Sequence, residues 1–227
     1  MYRQKLNYIT VLVVAAVLFF AACKKDSNSS SSSSSGSNSS NGNNTGDITS
    51  IEASNVVNST SDIANVKLIF SNHDNGNDIY YEFTTAKYKN NGFKLELPET
   101  LQDKYLFNAA DYCYGRWGVD SAIISDKQAK ILGYDFYIVA YNSAGMEIGE
   151  FYVNSNLGGL YYVYADRNFT VSSHFTVGRI VVERNCSFSK GWNIEYWDET
   201  NTKSLNTTTK PTGFNYWWEY RSYEGND

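Results

Sequence analysis

The chemistry most legible in this chain of 227 residues lies in two stretches where tryptophan alternates with amides and carboxylates. In an extended segment, successive side chains point to opposite faces. Trp192, Ile194 and Tyr196 then share one face, and Asn193, Glu195 and Trp197 the other. Likewise Phe214, Tyr216, Trp218 and Tyr220 oppose Asn215, Trp217 and Glu219. Either these strands are covered on both sides, or the mixed faces form a binding platform. An indole offers a flat apolar face to the C–H groups of a sugar, and neighbouring Asn and Glu pair with its hydroxyls. The expected ligand-binding set is therefore Trp197, Trp217, Asn193, Asn215, Glu195 and Glu219. It comes together if 191–197 and 214–220, joined by about 16 mostly polar residues, pair as antiparallel neighbours.

Other reactive side chains form no recognisable constellation. His73 and His174 are the only histidines, about a hundred residues apart, and neither belongs to a zinc-type Cys/His cluster. The run Asp74-Asn75-Gly76-Asn77-Asp78 is rich in oxygen but lacks the ligand spacing and closing glutamate of a calcium loop, so it reads as a hairpin turn. A Gly-x-Ser-x-Gly nucleophile motif is missing. A glycosidase's paired carboxylates meet only in the fold, so spacing neither supports nor removes them. No catalytic residue, metal ligand or cofactor is expected. Cys113 and Cys186 fit either a single disulfide in an oxidising compartment or two buried thiols.

The elements that must deliver and hold this chemistry begin at the amino end. Arg3 and Lys5 precede an apolar run over 9–22 interrupted only by Thr10, and Phe20-Ala21-Ala22-Cys23 follows. This is the tripartite pattern of an export signal. As a helix the run would rise about 21 Å, short of the roughly 30 Å hydrocarbon core it would have to cross. The ending resembles the lipobox of bacterial lipoproteins, with Phe20 where the family usually has Leu. The resemblance implies diacylglycerol on the Cys23 thiol, cleavage after Ala22 and acylation of the new amino group, an anchor that several acyl chains make stable. The other reading is an ordinary signal peptide over 1–22.

After Cys23, residues 27–46 are almost entirely Ser, Asn and Gly and have no apolar side chain to bury, so residues 23–46 are expected to be a disordered tether. Its r.m.s. span would be roughly 25 to 30 Å. Loss of Arg3 and Lys5 with the leader takes the net charge from −5 to −7, which leaves no electrostatic footprint for nucleic acid. The layout resembles surface lipoproteins of the Bacteroidetes. Those carry an acidic cluster after the cysteine, whereas this chain reads Lys24-Lys25-Asp26. An outer-membrane location at the cell surface or the periplasmic face is implied.

Residues 47–227 are long enough for one sizeable core. Period-two alternation dominates: Val66, Leu68 and Phe70; Ile79, Tyr81 and Phe83; Phe93, Leu95 and Leu97 after a turn at Asn90-Asn91-Gly92. Further strands are expected near 134–141, 148–153, 160–164, 169–171, 179–188, 191–197 and 214–220. In 99–131 only a short helical turn after Pro98 can be placed. The expected fold is an all-β antiparallel sandwich of about ten strands, with a β-barrel or two small sandwiches as alternatives.

Two short stretches carry a further resemblance. Residues 92–98, Gly-Phe-Lys-Leu-Glu-Leu-Pro, resemble a strand of immunoglobulin-like or transthyretin-like modules in Bacteroidetes surface proteins. Lys190-Gly191-Trp192-Asn193 resembles a stretch of lipoproteins from that phylum. Asp120-Ser121-Ala122 resembles the O-glycosylation acceptor of Bacteroides-type bacteria, which implies modification at Ser121. The functional expectation is a lipid-anchored envelope protein that recognises a glycan, or else a partner protein, without catalysis. An adhesion or assembly subunit acting through exposed strand edges is the alternative, and a hydrolase the third reading.

Overall fold

The computed structural model describes residues 48–74, 77–111, 122–133 and 136–223, and for 72–79 the backbone alone. Cys23, the tether, Cys113 and Ser121 lie outside the described residues.

The domain is an all-β antiparallel sandwich. In chain order its strands are β1 (Ser50–Ala53), β2 (Asn65–Asp74), β3 (Asn77–Lys87), β4 (Phe93–Glu96), β5 (Phe107–Asn108), β6 (Ile123–Ile124), β7 (Lys130–Leu132), β8 (Phe136–Tyr141), β9 (Glu147–Ser155), β10 (Gly158–Ala165), β11 (Phe169–Val177), β12 (Ile180–Phe188), β13 (Gly191–Glu199), β14 (Lys203–Thr207) and β15 (Tyr216–Ser222). A 3-10 turn, Asp103–Tyr105, follows Pro98 as the sequence suggests. A five-stranded sheet runs β15-β9-β8-β2-β3. It faces a curled sheet of order β5-β7-β10-β13-β14-β12-β11-β6. The β1–β4 ribbon adds Ile51, Ala53, Phe93 and Leu95 to the core between them.

Local sequence explains the main hairpins. Asn90 and Asn91 take φ of 52° and 56°, the left-handed region that Asn tolerates best among residues with a Cβ. Gly92 follows because a Cβ there would lie 2.2 Å from the Ala53 carbonyl oxygen, so only glycine lets β4 approach β1 this closely.

Alternation then sets the burial. Val66, Leu68, Phe70, Ile138, Ala140, Phe151, Trp218 and Tyr220 of the five-stranded sheet meet Leu132, Leu160, Tyr162, Tyr164, Trp192 and Tyr196 of the curled one. Trp192 anchors this layer: it packs edge-on against Phe136 and Tyr164, and its Nε1 donates to the Pro98 carbonyl at 2.8 Å. A second cluster, which includes Val163, Ala165, Val171, Cys186 and Phe188, covers the other face of the curled sheet. That sheet is therefore buried on both sides over much of its area, which is why β10 reads as an almost unbroken apolar run.

All ten expected strand regions are present, and among the described residues five further strands join them. β1, β5, β6 and β7 are two to four residues long, below the length at which alternation can be read. β14 is the consequential one. The polar connection after β13 is itself a strand, antiparallel to β13 and parallel to β12, rather than a loop.

Candidate functional site

Because β14 occupies the position beside β13, the two tryptophan-bearing strands do not pair. β13 lies inside the curled sheet, whereas β15 is an edge of the five-stranded sheet and runs antiparallel to β9. The single platform expected across 191–197 and 214–220 is corrected by this pairing, and its six residues separate into two environments.

On β13 the polar face turns inward. Glu195 is 2% exposed and its Oε1 accepts from Arg184 Nη2 at 2.9 Å and Nε at 3.2 Å, forming a buried ion pair across β14. Asn193 is fully buried and braces the chain entering β13: its Oδ1 accepts from the Ser189 N–H, and its amide donates to the carbonyls of Ser189 and Gly191. Both side chains are committed to the fold, so neither faces a ligand. Trp197 is half-buried, and its Nε1 donates to Ser204 Oγ at 2.8 Å. A Cβ on Gly159 would lie 3.4 Å from the Trp197 ring, so the indole packs against that glycine backbone.

On β15 the expected facing holds. Trp218 and Tyr220 point into the core, and Trp217 is 45% exposed on the outer face with Glu219 beside it. Asn215 precedes them, exposed, with its amide donating to the Gly213 carbonyl. The register brings residues from β9 and β8 to the same surface. Trp217 lies opposite Asn154, Glu219 opposite Tyr152, and Arg221 opposite Glu150. Glu150 in turn lies opposite Val139, which places exposed Tyr137 in line with Tyr152.

Hydrogen bonds hold this surface in place. Glu219 accepts from the amides of Asn154 and Asn58 and from Arg221 Nη2. Partial burial pushes the Glu219 carboxyl up, but these donors and the Arg221 charge outweigh it and hold the group below the usual carboxylate range. The Arg221 guanidinium stacks 4.6 Å from the Tyr152 ring centroid. Tyr152 donates to Glu150, and burial together with that carboxylate pushes the phenol up to about 12. The Tyr223 hydroxyl lies 2.9 Å from Glu147 Oε1 and 2.8 Å from Glu150 Oε1, so two carboxylates share one proton donor.

Tyr137, Tyr152, Asn154 and Arg221 are the members that sequence reasoning missed. Period two puts Tyr152 on the same side of its strand as Glu150, but a sequence does not supply the pairing of β9 with a strand some sixty residues away. Chemically the surface is an open aromatic face with fixed acceptors and donors around it. Glu147 and Glu150, both on β9, come close through Tyr223, and Glu147 is exposed to water. Among the described residues no group of three or more His, Cys, Asp or Glu could hold a metal ion.

No protein-family model matches this sequence, and no curated protein or solved structure matches the chain.

Proposed function

We propose that this chain is a lipid-anchored cell-envelope protein whose β domain recognises a glycan, without catalysis, through the outer face of its five-stranded sheet. The observation that carries the reading is Trp217: a large indole, nearly half exposed, flanked by Tyr152, Asn154 and a Glu219 held by three donors. Exposed aromatics on a sheet face lose apolar surface to water unless something covers them, and polar groups already fixed by their neighbours lose little entropy on binding. A sugar matches both features at once. The membrane partner is reached through lipid on Cys23, the one cysteine at a signal boundary, in the outer membrane.

The adhesion alternative needs a free strand edge. The middle of the β15 edge is already covered, since the Val57 N–H donates to the Trp218 carbonyl and the Tyr220 N–H to the Val57 carbonyl. At the opposite edge, the β2–β3 pairing shifts register between Leu68 and Ile69, an irregularity of the kind that discourages strand addition. Both features favour the sheet face over its edges. Glycan-array binding by the purified full chain in detergent, alongside Trp217→Ala, tests the reading. Specific binding that the substitution weakens by about 1 to 3 kcal/mol supports it. Binding to no glycan, or binding indifferent to Trp217, overturns it.

A further inference from the structure

The surface around Trp217 also has a shape and a charge that select among glycans. Its aromatic rings lie on three neighbouring strands: Trp217 on β15, Tyr152 on β9 and Tyr137 on β8. From Trp217 to Tyr137 the path crosses two strand spacings of about 4.8 Å and one two-residue step of about 6.8 Å, roughly 12 Å end to end. That stripe is longer than a single pyranose ring, and it lies on an exposed sheet face where a chain can enter and leave at either end.

The charges along the stripe are mostly of one sign. β8, β9 and β15 together carry three carboxylates, Glu147, Glu150 and Glu219, and one cation, Arg221. Arg221 is already engaged, ion-paired to Glu219 at 3.1 Å and stacked on Tyr152. A second anion placed on the aromatic stripe would sit within a few ångströms of Glu219 and Glu150 with no uncommitted cation on those strands to meet it. A neutral sugar instead offers hydroxyl donors to the carboxylates and C–H faces to the rings.

We infer that the ligand is an internal stretch of an uncharged, extended oligosaccharide lying obliquely across β15, β9 and β8, and this inference rests on the glycan reading above. Uronic-acid, sulfated or sialylated chains are disfavoured by repulsion from Glu219 and Glu150, which weakens them at least about fivefold relative to neutral chains of equal length.

The test uses titration calorimetry on the full chain in detergent with linear neutral saccharides of glucose, mannose and xylose from one to six units. Hexamers of galacturonic and mannuronic acid are the charged counterparts. The expected result is affinity that rises from the monosaccharide through at least three units for one neutral series, with the uronate hexamers at least about fivefold weaker. Tyr137→Ala should lower hexasaccharide affinity several-fold, with the melting temperature as the check on folding. Uronates bound as tightly as neutral hexamers, or a monosaccharide bound as tightly as a hexamer, would overturn the inference while the glycan reading stands. A hexamer affinity indifferent to Tyr137 in a folded variant overturns the oblique path. Binding to none of these saccharides overturns the inference, and a glycan array that is blank as well removes the glycan reading itself.

Discussion

Trp217 and Trp218 are consecutive in sequence and opposite in environment, so truncating each to alanine separates surface from core within one dipeptide. Trp218 is 4% exposed, packs edge-on against Phe93 at 5.4 Å, and its Nε1 donates to the Glu52 carbonyl at 3.1 Å. A buried indole contributes on the order of 200 Å², which at about 25 cal/mol per Å² is worth about 5 kcal/mol. Alanine keeps only a small part of that and leaves a cavity, so Trp218→Ala should destabilise by about 3 to 5 kcal/mol. For a domain of this size the melting temperature should then fall by roughly 6 to 20 °C. Trp217 has its outer side in water, and at such a strand position substitutions span about 1 kcal/mol, a shift of about 2 to 4 °C. Circular dichroism melts of the two variants, read beside urea unfolding, measure the difference directly. Equal melting temperatures, or collapse of the Trp217→Ala domain, would show that the outer face is part of the core and that the binding surface has been misassigned.

Three further outcomes are expected. Glu195→Ala leaves buried Arg184 without the carboxylate it pairs with and should cost about 3 to 5 kcal/mol in urea unfolding; a loss under about 1 kcal/mol would mean that the pair is solvated. Glu219 titrates below an ordinary glutamate, so the stability it contributes is complete above the unfolded-state value and is lost only as pH falls through the lower folded value. Carbon NMR of its carboxyl should therefore give a depressed midpoint, restored in Arg221→Gln, whereas a midpoint in the usual range would undo the case for a fixed acceptor. Cys23→Ala should abolish fatty-acid labelling of the chain in its host, and unchanged labelling would end the lipid-anchor proposal.

How much of this could be read from the sequence follows from the range of the interactions involved. Facing within a strand is local. The alternation of Trp192, Asn193, Ile194 and Glu195, and that of Trp217, Trp218, Glu219 and Tyr220, assigned sides that the fold keeps. Pairing between strands is not local. Ser204, Asn206 and Thr208 look like linker residues because they are polar, yet they are buried, and Ser204 and Thr208 accept hydrogen bonds from Trp197 and from the Ser187 N–H. A polar strand of this kind is stabilised by partners contributed from elsewhere in the chain, and no periodicity of its own announces them. Once β14 takes the place beside β13, β15 must find its neighbour in the other sheet, and β9 supplies it. The same rearrangement explains the fate of the candidate residues. A carboxylate and an amide on a central strand can be buried only if fully paired, which Glu195 and Asn193 are, through Arg184 and through the Ser189 and Gly191 backbone. A carboxylate on an edge strand keeps one side in water, and there Glu219 is fixed by Asn154 of neighbouring β9 and by Arg221 while still open to a ligand. Position in the sheet, rather than residue type, therefore decides which of two similar Trp-and-carboxylate patterns is scaffold and which is surface.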